Sequence, residues 1–347
     1  MALPGPQGRG KLRPPAPGTH MRICEINDIA SVASDLAKAL RARGHEVELI
    51  QPPLFGGKLP AVVKPVIAPF RALEWAHTIR KVRAGRFDAV HIHYAYLGML
   101  GVLGRFPFIL HCHGTDVRDA TPFTGPLVRK ALQGAGHVFY ATPDLAALVT
   151  PRRPDAEFLP NPVDASVFTP LSAASESDGV LISCALTAIK GAPRILDACK
   201  RLATARPGLK ITAIGGGELT PEFARLPNLT ILPHQRRADL PALIARHGVV
   251  IGQVLLGVAG MAEFEALACA RPVVCSFTYP EAYEEPPPFA GASTGDEIAA
   301  LVMRLADDAG LRQSLGHAGR EWVRRYHDAG RAAAAVESAA RQLMPRR

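Results

Sequence analysis

Lys190 stands immediately before Gly191 in the stretch LTAIKG, where an apolar strand pattern gives way to a helical one. An ammonium beside the open amides of a helix start suits a diphosphate, because the charge pairs with phosphate oxygens and the amides donate to them. A second candidate is His113, followed by Gly114 at the end of the apolar run FPFILHC. A histidine at the carboxyl end of a strand lies where open parallel sheets bind ligands. The third group is acidic: Glu263 and Glu265 follow Gly257 and Gly260 in GVAGMAEFEALACARPVV, at the start of a segment with helical spacing. A carboxylate there can accept from ribose hydroxyls, and the amides at Gly260 and Met261 suit a phosphate. Equally, acidic residues favour helix starts for their own sake.

The elements that must hold these groups are legible as alternating strands and helices. Val249 to Ile251, the glycine turn, Met261 to Ala270 and Val273 to Cys275 form a parallel βαβ step, with Arg271 and Pro272 ending the helix. Arg22 to Ile26, Ile29 to Arg43 and His45 to Ile50 make an earlier step, the helix stopped by Gly44. Further strands are predicted at Asp88 to His93, Pro107 to Cys112 and Gly136 to Ala141. The pattern restarts with Val180 to Cys184, a helix over Ala192 to Ala205, and Leu209 to Ile214 leading into GGGEL. That turn lacks GxGxxG and a following acid at dinucleotide spacing, which argues against hydride transfer. From Gly295 the chain reads as helical to its end.

A chain of 347 residues, 48% hydrophobic and 20% charged, is long enough for two soluble domains. No apolar run reaches the roughly 18 residues that a membrane span needs. Residues 1–20, rich in proline and glycine, read as a disordered leader, with structure beginning at Met21. The formal charge is +9, but Arg9, Lys11, Arg13, Arg341, Arg346 and Arg347 sit at the two ends, and no basic and aromatic interleaving marks a nucleic-acid binder. Arg71, Arg80, Lys81, Arg83 and Arg86, beside Phe70, Leu73 and Trp75, form either a solvated helix face or a peripheral membrane contact over residues 70–86. The six cysteines are scattered without metal spacing, as buried free thiols of a cytoplasmic protein would be. His91, His93, His111 and His113 alternate along two strands, but no carboxylate or thiolate at metal spacing accompanies them, so no metal is expected.

FEALACARPVV resembles the donor-site helix of the family 4 retaining glycosyltransferases of group 1, which have the GT-B fold. RARGHEVELI, HCHGTD, LPNPVDASVFTP and the Lys190-Gly191 pair resemble further signatures in the family's order, covering about residues 21 to 343. The resemblance implies an α/β fold of two Rossmann-like, doubly wound domains facing an interdomain cleft. It implies an acceptor domain over residues 21–170, joined by a returning helix at 327–345 with Trp322 and Tyr326 anchoring that packing, and a donor domain over 171–326. The run SAASESDG is the expected linker.

By the same resemblance Lys190 meets the donor diphosphate and Glu265 holds the ribose. His113 lies near the donor sugar and diphosphate, and Gly215 and Gly216 border the base. Amides of Ala30 and Ser31 stand where the family carries two glycines near the phosphates. The implied reaction moves a sugar from a nucleotide-diphosphate sugar to a hydroxyl of a small molecule, lipid or glycan, with retention and with no cofactor. This chain departs from the family at Gly257, where a glutamate touches the sugar, and at Ala185, where an arginine is usual; Arg118 and Arg194 are candidate substitutes. Those departures leave open a non-catalytic nucleotide-sugar-binding partner of a glycosyltransferase, and the implied fold, which also hosts nucleotide-sugar epimerases, leaves open that activity.

Overall fold

A computed structural model describes residues 20–53, 64–171 and 179–344. The leader expected over residues 1–20 and the linker SAASESDG lie outside them, apart from His20 and Gly179. Two compact units divide the chain: Met1–Pro162 with Ala329–Arg347, and Val163–Asp328.

The first unit is built on six parallel strands, β1 (Arg22–Ile26), β2 (Glu46–Ile50), β3 (Ala89–His93), β4 (Ile109–Cys112), β5 (His137–Tyr140) and β6 (Glu157–Phe158), in the order β2-β1-β3-β4-β5-β6. Central parallel strands are covered on both faces and so tend to be apolar throughout. On one face, Cys24, Ile26, Val90, Ile92, Leu110, Cys112 and Val138 pack with Leu97, Leu100, Val128 and Leu132. On the other, Met21, Ile23, Ala89, Ile109 and Phe139 meet the helices Val32–Ala42 and Ala329–Leu343. The second of these helices presents Ala332, Ala333, Val336, Ala339 and Ala340. Small residues at that spacing let a helix lie close against its neighbours.

An ionic clasp fixes the returning helix to this unit. Glu337, 2% exposed, accepts from Arg43 at 2.6 and 2.9 Å and pairs with Arg341. Burial alone would raise the Glu337 carboxyl, but the hydrogen bond and charge of Arg43, with Arg341 and His45, bring it below the ordinary glutamate range. A carboxyl depressed in the folded state contributes stability that is present above its unfolded pKa and lost as pH falls through the folded one. Glu337→Gln is therefore expected to destabilise the unit by about 3 kcal/mol at pH 7. In denaturant titrations the gap between variant and parent should close below about pH 4.

The second unit carries β7 (Val180–Ile182), β8 (Ile211–Ile214), β9 (Leu229–Leu232), β10 (Val249–Ile251), β11 (Val273–Cys275) and β12 (Ala290–Gly291), all parallel, in the order β12-β11-β10-β7-β8-β9. Successive strands build outward in one direction from β7 to β9 and in the other from β10 to β12. The order thus reverses between β7 and β10, the position at which open α/β sheets bind ligands.

The division at Pro162 departs from the boundary read at residue 170. Phe168 is fully buried in the second unit's core, and the Val163 amide donates to the His327 carbonyl at 2.9 Å, so residues 163–170 are built into the second unit. Trp322 and Tyr326 also depart from their expected role. Both lie on the helix Ala309–Tyr326 within the second unit, and Trp322 packs on Tyr283 and Phe264. The Trp322 indole donates to the Glu285 carbonyl at 2.9 Å, and the Glu285 amide donates to the Tyr326 hydroxyl at 3.1 Å. The proline-rich loop over residues 279–291 thus supplies the other half of an aromatic cluster.

All six cysteines are buried and free. Among the described residues no helix is long and apolar enough to cross a membrane. On the basic helix Lys64–Gly85, Phe70 and Leu73 are exposed, while Arg83 donates to the Gly104 carbonyl and Lys81 pairs with Glu48.

Candidate functional site

In the second unit the site grows from the ends of β7, β8 and β10. The chain leaving β7 is tied to the glycine turn after β8: the Leu186 amide donates to the Gly216 carbonyl, and the Leu219 amide returns to the Leu186 carbonyl. Gly216 and Gly217 have φ of 143° and 129°, and a Cβ on Gly217 would overlap the Leu186 carbonyl. The third glycine of GGGEL, which has no role in the sequence reading, is the one this close approach requires. Gly215 anchors the turn, its amide donating to the Leu232 carbonyl at 2.7 Å.

Lys190 follows, one residue before the left-handed Gly191 and two before the helix Ala192–Ala205. A Cβ at Gly191 would lie 2.6 Å from Val254 Cγ2. Glycine is thus what lets the Lys190 segment pack on the loop after β10. The two segments are sewn together by the Val254 amide donating to the Lys190 carbonyl at 3.0 Å and by Lys190 Nζ donating to Gln253 Oε1 at 2.6 Å. Arg194 joins the same loop, donating to the carbonyls of Val254 and Ser293. Two cations therefore converge on residues 253–254 beside the start of a fourteen-residue helix. Gln253 had no signal of its own in the sequence.

The acidic pair separates in the structure. Glu263 is 3% exposed, and its two oxygens accept from the amides of Gln253 and Gly260, both at 2.8 Å. Its carboxylate serves the loop that carries Gln253, in agreement with the helix-start reading. Glu265, also buried, lies two residues further along the same helix, with Arg237 Nε 3.4 Å from Oε1 and the Arg237 guanidinium over the Phe168 ring. Gly260 caps the helix and Met261 is its first residue, half-buried against the adjoining core.

Gly257 has φ of 70°, and a Cβ there would overlap Thr278 Oγ1. Gly257→Glu, which introduces the residue that the resemblance implies here, is therefore expected to lower the unit's stability by about 2 to 4 kcal/mol, read as a fall in denaturant midpoint. Ala185 is exposed just after β7, and no arginine replaces it within its own turn.

In the first unit the order reverses between β1 and β3, and the segments after β1, β3 and β4 form a second set. Ala30 and Ser31 take φ of 48° and 64°, the left-handed region that two glycines would occupy at lower cost. Their amides have no hydrogen-bond partner among the described residues, whereas those of Ala33 and Ser34 are already occupied by Asp28 Oδ1.

His113, partly buried, follows β4. Its Nε2 lies 2.8 Å from His93 Nδ1, and His93 Nε2 lies 2.7 Å from Glu25 Oε2. Burial, with the neighbouring imidazoles of His93 and His91, pushes the His113 ring well below the ordinary histidine range. The turn after it is set by Asp116, whose buried carboxylate accepts from the amides of Ala95, His113 and Gly114. Gly114 has φ of 134°, and a Cβ would meet Arg118 Nη1 at 2.6 Å. Arg118 itself is committed to Asp144 and Thr142. Glu25 is not among the sequence candidates, although it stands as an acid inside the buried run RICEI, and His93 enters there only in the histidine group set aside as a metal site.

Residues 29–162 match the family described as Glycosyl transferase 4-like domain, and residues 193–338 match that described as Glycosyl transferase-like. No curated protein sequence matches the chain. Among solved structures, HepE from Anabaena in complex with UDP and glucose is 14% identical with a TM-score of 0.70, covering 92% of this chain and 99% of its own. Sucrose-phosphate synthase from Thermosynechococcus elongatus is 16% identical, TM-score 0.71, over 93% and 99%. A UDP-forming trehalose-phosphate synthase from Burkholderia xenovorans is 12% identical, TM-score 0.68, over 94% and 100%. At these identities the likeness establishes a common fold.

Proposed function

Since the chain belongs to the group 1, family 4-like glycosyltransferases and has their GT-B fold, we propose that it transfers a hexosyl group from a UDP-linked donor to an acceptor hydroxyl with retention. The observation that carries this reading is Lys190, held by Gly191 and Gln253 at the strand-order reversal of the second sheet beside a helix start. In the reaction the bond between the anomeric carbon and the diphosphate oxygen breaks as the acceptor oxygen bonds to that carbon on the same face. The acceptor proton passes to the departing diphosphate. Lys190, Arg194 and the amides at the start of the helix Ala192–Ala205 stabilise the charge developing on the leaving group. Glu265 takes the ribose, the glycine turn at Gly215 and Gly216 borders the base, and His113 contacts the donor sugar.

The acceptor class, whether small molecule, lipid or glycan, is best sought by supplying pools of each with UDP-hexoses and following UDP release. Proton NMR of the product then reads its anomeric configuration. An α-configured glycoside from an α-configured donor is expected. A new sugar nucleotide formed without acceptor would point to epimerisation, and tight UDP binding without turnover would point to a non-catalytic partner.

A further inference from the structure

The face of the first sheet that meets the helices Val32–Ala42 and Ala329–Leu343 is apolar only over part of its length. Towards the carboxyl ends of the strands the same face carries Glu25, His91, His93 and His111, brought side by side by the registers Glu25 to His91 and His93 to His111. All four are at most 1% exposed. Among the described residues, His91 Nε2 and Glu25 Oε1 have no hydrogen-bond partner, and His111, whose ring approaches the Leu159 backbone, has at least one nitrogen without one. A buried polar atom left in that state costs about 1 to 3 kcal/mol. His93 Nε2 is hydrogen-bonded to Glu25 Oε2 at 2.7 Å, and His91 Nδ1 lies 2.9 Å from the same oxygen.

One donor atom from each of His91, His93 and His111 falls within a sphere in which all lie inside 4.8 Å of one another. Nitrogens around a tetrahedral zinc are about 3.3 Å apart, so rotation of imidazoles, without movement of the strands, closes the set. We propose that this cluster is a buried site for a divalent transition metal of the zinc class, ligated by His91, His93 and His111 with Glu25 as the carboxylate ligand. Three imidazoles and one carboxylate with no route for solvent make a closed, four-coordinate site of the structural kind. The ion supplies a positive charge beside the fully buried Glu25 carboxylate. It also gives a partner to the nitrogen of His111 that has none. With Nε2 of His93 on the metal, its Nδ1 carries the proton and donates to His113, which fixes both rings as outer hydrogen bonds to metal-bound histidines do.

The test uses the full-length protein, freed of metal with a chelator and titrated with Co(II). One equivalent is expected to bind with the visible bands of tetrahedral cobalt, and Zn(II) is expected to displace it and raise the thermal midpoint. His111→Leu removes a ligand while filling the space with an apolar side chain suited to its Phe139 neighbour. It is expected to weaken metal binding by more than about 100-fold and to abolish the metal-dependent thermal shift. Absence of cobalt bands in the parent protein would overturn the proposal, as would bands of equal strength in a folded His111→Leu variant. Should that variant fail to fold, metal content of the parent after dialysis decides alone: near one equivalent supports the site, and a trace overturns it.

Discussion

Alanine at position 190 is expected to weaken binding of UDP by roughly 10- to 100-fold, the equivalent of one charge-assisted hydrogen bond to a phosphate, about 1.5 to 3 kcal/mol. The ligand-free protein should unfold almost as the parent does. Lys190 is only partly buried, and among the described residues its side chain hydrogen-bonds Gln253 Oε1 alone. Calorimetric titration with UDP and with uridine separates the contributions, since uridine lacks the diphosphate and its affinity should not change. Equal losses for both ligands would place Lys190 at the nucleoside or in a structural role. Arg194→Ala is the natural companion, because its guanidinium is tethered to the same loop.

Glu263→Ala is expected to act in the opposite manner, on the fold more than on the ligand. Its carboxylate joins the amides of Gln253 and Gly260, and Gly252 leaves room for it, since a Cβ there would sit 2.5 Å from Glu263 Cγ. Removing the carboxylate strands two amides and loosens the segment that positions Gln253. A loss of about 3 to 5 kcal/mol follows, on the order of 10 °C in thermal midpoint. Calorimetric unfolding measures it directly. A thermal midpoint unchanged beside a large loss of donor affinity would return Glu263 to the ribose role.

Glu263 and Glu265 show where reading the sequence stops. Helical spacing puts both near a helix start, but which carboxylate turns back onto the preceding loop depends on Gly252 and Gly260, residues whose place is settled only when β10 and the helix pack. The strands themselves were legible wherever burial on both faces produced an apolar run, as in β1, β4 and β10. The two-residue edge strands β6 and β12 carry too few residues to show a pattern. Alternation told that His91 and His93 share a face, and likewise His111 and His113. It could not tell that β1 pairs with β3, which is what brings Glu25 to His91. Tyr283 is a similar case, a loop residue whose aromatic partners lie on a helix some forty positions away.

Every role proposed for the second unit requires a nucleotide-sugar diphosphate seated at the Lys190 loop. A crystal structure of the protein grown with UDP or a UDP-hexose tests this most directly. Phosphate oxygens within hydrogen-bonding distance of Lys190 Nζ and of the amides opening the helix Ala192–Ala205, with the ribose at Glu265, are the expected result. Nucleotide bound elsewhere, or Lys190 still closed onto Gln253 in a nucleotide-saturated crystal, would contradict it.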